Sequence, residues 1–408
     1  MSQPKRLRFL DSSTPPHIAT LIFLSALAPI AMNIFLPSLP QMTAYFGTDY
    51  GIMQLSVALY LLVNAILQAL IGPVSDKYGR RPVILWGIVL FILATIGCIF
   101  APTVEVFLAF RMAQAVATVG MVLSRAAVRD MYPADQAASV IGYVTMGFAI
   151  APMITPVIGG AVGEMFGWKA NFLLLIGFGI LCYFLTRADF GETARSSGKT
   201  LGQQFREYPE LLTSPRFWGY SLATALSSGA FFSYLGGAPF IGATYFGLEP
   251  GLLGLFMGAP AIGYIVGNFL SGTFSMRIGI NNMMIAGCIV TGVTMILLLA
   301  LFSLGFDSHF VFFGLMISVG LGNGMTMPNG MAGSLSVRPH LAGTASGLSG
   351  AIMLGGGAAL SALAGALLTE KTGPYPLIWM MLITAVLGFF SVLVVIFRER
   401  QLGLSSPQ

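Results

Sequence analysis

The sequence predicts an all-α membrane protein: twelve transmembrane helices in two six-helix halves related by a pseudo-twofold. Three observations carry that expectation: scarce charge, a dozen apolar runs of spanning length, and an internal repeat. Of 408 residues, 56% are hydrophobic and only 9% are charged, against about 25% charged in an ordinary soluble domain. A soluble surface of this size would need far more polar cover. The same figures exclude a disordered chain, a disulfide scaffold and a nucleic-acid binder. Fifty glycines suit tightly packed membrane helices, where small residues let backbones approach. A β-barrel would instead show short strands of alternating polarity.

A spanning helix needs about 20 apolar residues. Twelve runs qualify, at 18–40, 51–71, 83–101, 104–126, 138–162, 169–187, 216–242, 251–272, 282–304, 309–330, 341–368 and 375–397. The first run is expected to be retained, because no cleavage-like small-residue site follows it. The three cysteines, Cys98, Cys182 and Cys288, each lie in an apolar run away from any His or second Cys. They read as packing residues, and no metal site is expected.

The basic residues orient the chain. With the amino terminus inside, every Lys and Arg except Lys169, Lys371 and Arg111 falls on the cytoplasmic side. That asymmetry predicts an inner-membrane protein with both termini in the cytoplasm. The longest polar interruption, 188–215, divides the chain into an N-terminal half (1–187) and a C-terminal half (216–408). It carries Asp189, Glu192 and Glu210 and is expected to be a solvated linker, with 201–212 as an amphipathic surface helix.

The repeat crosses that linker. Tyr45-Phe46-Gly47 recurs as Tyr245-Phe246-Gly247, and the same offset of 200 pairs Gly51 with Gly251, Gly72 with Gly272 and Gly79 with Gly279. Both copies begin on the same side, which predicts a parallel repeat about an axis along the membrane normal. Two such halves with a path between them imply alternating access.

The second run ends in Gln68-Ala69-Leu70-Ile71-Gly72-Pro73-Val74-Ser75-Asp76-Lys77-Tyr78-Gly79-Arg80-Arg81-Pro82. A short turn with one carboxylate followed by three cations can lock two helices together, and opening must break it. This segment closely resembles the loop signature of the major facilitator superfamily. Its Gln-x-x-x-Gly-Pro-x-Ser-Asp form is similar to the drug:proton antiporter branch of bicyclomycin-resistance (Bcr/CflA) type. Further matching segments are Leu36-Pro37, Arg111-Met112-Ala113-Gln114, Arg125-Ala126-Ala127-Val128-Arg129-Asp130 and Thr155-Pro156-Val157-Ile158-Gly159-Gly160. The resemblance implies a cytoplasmic gate of Gly72, Asp76, Gly79, Arg80, Arg81, Arg129 and Asp130, the alternative being plain topological anchoring. It also implies an antiporter-motif hinge at Pro152, Pro156, Gly159 and Gly160. The repeated loop has Met276 where Asp76 stands, so its charge lock is missing.

Arg111 lies within a span, where a cation is costly unless it faces a cavity, finds partners or snorkels outward. Gln114 and Thr118 share its helical face. The resemblance implies a central arginine that couples proton movement to substrate. It also implies an acidic residue just before the Leu-Pro motif, where this chain has Asn33, and an amide cannot titrate. Tyr60, Asn64 and Gln68 recur every four residues as a polar stripe, lining a cavity or bonding to neighbouring helices. Tyr234, Asn268, Asn323 and Asn329 are comparable in the second half. Asn33, Tyr60, Asn64, Gln68, Arg111 and Gln114 are therefore the expected substrate and proton pathway.

No phosphate-binding loop occurs, so ATP is not expected to drive the protein, and no cofactor is expected. The expected function is a non-enzymatic exporter of drugs, antibiotics or other small lipophilic molecules, acting as a monomer in the lipid bilayer, in exchange for protons. Asn33 leaves open a metabolite exporter that is uncoupled or differently coupled. A non-transporting sensor would need an output domain.

Overall fold

The computed structural model describes residues 9–132, 134–193, 208–338 and 341–403. The described chain is helical throughout, with no strand. The long helices are α1 (Ile18–Phe46), α2 (Tyr50–Tyr78), α3 (Arg80–Phe100), α4 (Val104–Met131), α5 (Ala134–Phe166) and α6 (Trp168–Asp189). In the second half they are α7 (Pro215–Phe240), α8 (Pro250–Ile278), α9 (Ile280–Ser303), α10 (His309–Ser336), α11 (Ala342–Leu367) and α12 (Tyr375–Gln401). Among the described residues, ten helices are long and apolar enough to cross a membrane. The remaining two, α5 and α7, run for 33 and 26 residues.

The repeat is written into the backbone. Gly47 and Gly247 end their helices at φ +58° and +66°, and Gly79 and Gly279 join α2 to α3 and α8 to α9 at +93° and +86°. A side chain resists this left-handed region, so only glycine turns there without strain. The aromatic pairs before the first two glycines match as well. Tyr45 meets Phe46 edge-on at 5.0 Å, and Tyr245 meets Phe246 edge-on at 5.0 Å.

The two halves meet through equivalent helices, α2 against α11 and α8 against α5. Both contacts use small residues. A Cβ on Gly160 would lie 2.3 Å from the Pro250 carbonyl oxygen, and one on Gly254 would lie 2.2 Å from that of Pro156. On the other side, a Cβ on Gly51 would lie 3.3 Å from the Gly365 carbonyl oxygen. Tyr50 donates to the Gly236 carbonyl at 2.6 Å and Gln54 to Ser361 Oγ at 2.6 Å. Glu164 accepts the Gly251 N–H at 2.8 Å. These contacts close the end of the molecule that holds few cations. At the opposite, basic end, a Cβ on Gly72 or Gly272 would meet nothing within 4 Å.

The first residues of the 188–215 stretch are tied to the N-terminal half, and 194–207 lie outside the described residues. Asp189 is fully buried and accepts the backbone N–H groups of Leu10 at 2.7 Å and His17 at 2.8 Å. A carboxylate can leave water here because two amide donors replace its hydration. Glu192 accepts the backbone N–H groups of Arg80 and Arg81 at 2.8 and 3.2 Å, so it too is engaged. Of the expected surface helix at 201–212, residues 201–207 lie outside the described residues; Tyr208–Leu212 is helical.

Candidate functional site

Between the halves lies a cavity of about 1010 Å³. Asn33 lines it from α1, Asn64 and Gln68 from α2, Asn268 from α8 and Asn323 from α10. Phe231, Phe232, Met257 and Met353 supply apolar wall, and the space runs down to Gly72, Asp76, Arg80 and Asp130 at the basic end. A large apolar chamber with a few convergent polar groups is the usual form of a small-molecule site.

Each polar group is held by its helix. Pro29 lies inside α1, and Asn33 donates its amide to the Pro29 carbonyl at 2.7 Å while its own Oδ1, buried, has no hydrogen-bond partner among the described residues. That leaves one unsatisfied acceptor on a residue of the chamber wall. Asn64 accepts from Gln68 at 3.1 Å and from the Thr118 hydroxyl on α4. Ser227 donates to Asn323 at 2.5 Å, and Asn268 donates to the Tyr264 carbonyl at 2.7 Å.

Tyr60, Arg111 and Gln114 lie elsewhere. All three are fully buried behind the cavity wall within the N-terminal half. Arg111 donates to Gln114 Oε1 at 2.6 Å and to the Ala31 carbonyl at 2.9 Å. Its guanidinium lies 4.3 Å from the Phe35 ring centre and 4.4 Å from that of Tyr60. Gln114 continues the chain to Thr95 at 2.8 Å, and Tyr60 donates to the Ala28 carbonyl at 3.0 Å. The charge is carried by acceptors and aromatic faces rather than by an acid. The structure thus places Arg111 as a neighbour of Asn33 through α1, two residues along, and not on the cavity or snorkelled to the surface. Tyr234 and Asn329 are also buried off the cavity, bonded to Met257 and Ser271 respectively.

At the basic end, Arg80 gathers Asp76 at 2.6 Å and Asp130 at 3.2 Å, and bonds to Ser75. Asp76 precedes Arg80 by one turn, and Asp130 ends α4, so one guanidinium ties α2, α3 and α4 together. Arg81 reaches the Arg187 carbonyl at 2.8 Å. Arg129 stands apart from this cluster, with no ion pair among the described residues. Gly79 is fixed by more than its dihedral, since a Cβ there would lie 2.5 Å from Glu192 Oε2. Of the hinge residues, Pro152 lines the cavity, whereas Pro156, Gly159 and Gly160 pack against α1 and α8.

Two elements escaped sequence reasoning. Glu192, 112 residues from Arg80 in the chain, clamps the start of α3. In the second half, Glu399 on α12 accepts from Arg216 at 2.7 Å, Tyr220 at 3.0 Å and Asn281 at 2.7 Å. Asn281 stands at the repeat position of Arg81, so each half uses a carboxylate from its last helix or just beyond to grip the corresponding loop. The signal was the shared offset; Met276, in place of Asp76, is 97% exposed and takes no part.

Two helical halves packed against each other at one end, around a central chamber that runs to the other, define a membrane transporter. The family model of the Major Facilitator Superfamily matches residues 21–359 and 238–406, and the chain belongs to that family. It is 28% identical to a bicyclomycin resistance protein homolog of Haemophilus influenzae, over 89% of this chain and 92% of that protein. It is 29% identical to a chloramphenicol resistance protein of Pseudomonas aeruginosa, over 92% and 90%. These relatives put it with the bicyclomycin-resistance branch. Among solved structures, a bacterial homolog of the human lysosomal transporter Spinster, in an inward-facing and occupied conformation, shares the fold with a TM-score of 0.71. That match is 17% identical and covers 96% of this chain and 98% of that one.

Proposed function

We propose that the chain exports small, largely apolar molecules, drugs or antibiotics among them, from the bacterial cytoplasm across the inner membrane by alternating access. The observation that carries this reading is the cavity shared by both halves, amide-studded and Phe- and Met-walled, which runs to the basic end. The basic end is the cytoplasmic one on the positive-inside rule, with both termini there. Residues 1–187 and 216–408 rock as two bodies about 188–215, and the working unit is the monomer. The resistance proteins among the relatives support drugs as cargo. In this cycle the Asp76–Arg80–Asp130 cluster is the gate within the N-terminal half, and the α5–α8 glycine contact is the hinge.

Exchange for protons completes the proposal, with the rim carboxylates and the Arg111 network in place of a central acid. One observation favours a second reading, an exporter without proton coupling: Asn33 occupies the cavity wall and its amide is bonded to the Pro29 carbonyl. Drug susceptibility of a pump-deficient host expressing wild type, Asn33→Asp or Arg111→Ala separates the two. Protection by wild type, accompanied by substrate-dependent proton movement in proteoliposomes, supports antiport. Transport indifferent to an imposed pH gradient sinks proton coupling. Protection by Asn33→Asp alone marks a chain whose coupling site is gone.

A further inference from the structure

Among the described residues, five charged side chains line the cavity, and all come from the N-terminal half: Asp76, Arg80, Arg125, Arg129 and Asp130. Arg80 occupies both aspartates, at 2.6 and 3.2 Å. Arg125 and Arg129 have neither ion pair nor hydrogen bond among the described residues. They sit one turn apart on α4, and like charges at that spacing weaken a helix. The negative end of the helix accounts for Arg129, which lies in the last turn. It does not account for Arg125, one turn deeper on the cavity wall. Anchoring in lipid headgroups does not require a cation that faces an internal chamber either.

Among the described residues, the rest of the chamber holds no opposing charge. The described C-terminal half contributes no charged lining residue, and the deeper polar groups, Asn33, Asn64, Gln68, Asn268 and Asn323, are neutral amides. Arg125 follows Thr118, the partner of Asn64, by seven residues, which sets the cation about 10 Å along the helix axis from the amide tier. A cationic cargo would meet three arginines and two aspartates already held by one of them. An acidic cargo would meet two guanidiniums that have no hydrogen-bond or ion-pair partner among the described residues, the geometry that suits a planar carboxylate.

We propose that Arg125 and Arg129 form an anion-accepting subsite and that the cargo is an amphiphile bearing an acid group, such as a carboxylate. Its acid rests on the arginine pair, its apolar body runs past Phe231 and Met257, and a polar group about 10 Å away meets the amide tier at Asn64 and Gln68. This rests on the export reading and narrows it to acidic or neutral cargo.

The test uses the full-length chain in phosphatidylcholine nanodiscs and three matched probes: 1-naphthaleneacetate, its primary amide, and 1-naphthylmethylammonium. Equilibrium dialysis should find the carboxylate bound about tenfold tighter than the ammonium, the worth of one charge-assisted pair. Arg125→Gln should lower carboxylate binding about tenfold without moving the amide, and Arg125→Lys should restore part of the loss. Thermal unfolding of each variant identifies misfolded protein, and Arg129→Gln supplies an independent second variant. An ammonium bound as tightly as the carboxylate overturns the subsite, as does an equal loss for all three probes. Loss of the carboxylate preference on adding phosphatidylglycerol reassigns the pair to a lipid headgroup and overturns it as a cargo site. In those cases binding of the amide leaves the export reading standing; binding of none of the probes by folded protein counts against both.

Discussion

The backbone N–H of Arg80 donates to Oε1 of Glu192 at 2.8 Å. The same arginine holds Asp76 and Asp130 with its side chain. Gly79 has no side chain to cap α3, so Glu192 acts as a cap delivered from the end of the half-bundle, and negative charge is favoured at that helix start. Glu192→Ala removes the acceptor from both Arg80 and Arg81. Stability should fall by about 1 kcal/mol, and the thermal midpoint of the purified protein reports it. Glu192→Gln, which keeps an acceptor, should lose less. Equal midpoints for wild type and Ala would show that the clamp contributes nothing.

Arg111 gives the largest predicted effect on stability. Replacing it by Ala strips partners from Gln114 Oε1 and the Ala31 carbonyl and leaves space between Phe35 and Tyr60. Unsatisfied acceptors and a cavity together should destabilise by about 3 kcal/mol or more. Arg111→Lys keeps the charge but not the fork, since an ammonium cannot reach two acceptors in one plane, and should fall between. Because the guanidinium is off the cavity, ligand affinity of the folded Lys variant should change less than its thermal midpoint. A drop confined to affinity would mean that Arg111 reaches cargo in another state.

How much of this was readable before the fold was known depends on the distance over which a residue acts. The repeat was legible because Gly47, Gly79, Gly247 and Gly279 are demanded by local backbone geometry. The stripe on α2 was legible as polar, but its facing was not. Tyr60 turns to the Ala28 carbonyl while Asn64 and Gln68 border the cavity, and a four-residue period drifts around a helix of 3.6 residues per turn. Arg111 announced its cost and not its solution, because its partners on α1, a carbonyl and an aromatic ring, carry no charge signal. Asp189 and Glu192 looked like linker charges, since their amide donors lie between 111 and 179 residues away.

The α5–α8 contact should tolerate no side chain. A methyl at Gly160 would fall 2.3 Å from the Pro250 carbonyl oxygen, and Gly159 is tighter still against Ile34. Gly160→Ala should therefore push the halves apart at the closed end. Transport should be lost while helix content by circular dichroism is unchanged. Gly72→Ala is the control for this conformation, because its added methyl meets nothing within 4 Å and alanine favours a helix by up to about 1 kcal/mol. Normal transport by Gly160→Ala would remove the contact from the mechanism.

Among the described residues, Glu164 is the one carboxylate that bridges the halves at the closed end, through the Gly251 N–H at 2.8 Å. Its partner is the first turn of α8, where a negative charge is favoured and a neutral amide less so. Opening that end must break this bond together with those of Tyr50 and Gln54. Glu164→Gln weakens one of the three without adding bulk, so the population should shift toward the state open at that end. The site is exposed, and the worth of the charge is about 0.3–1 kcal/mol at low ionic strength, enough for a shift of roughly two- to fivefold. Cysteine pairs placed across α5 and α8 should crosslink less readily in Glu164→Gln than in wild type, and the difference should shrink in high salt. Crosslinking that is the same in both proteins would mean that the glycine packing alone holds the end shut.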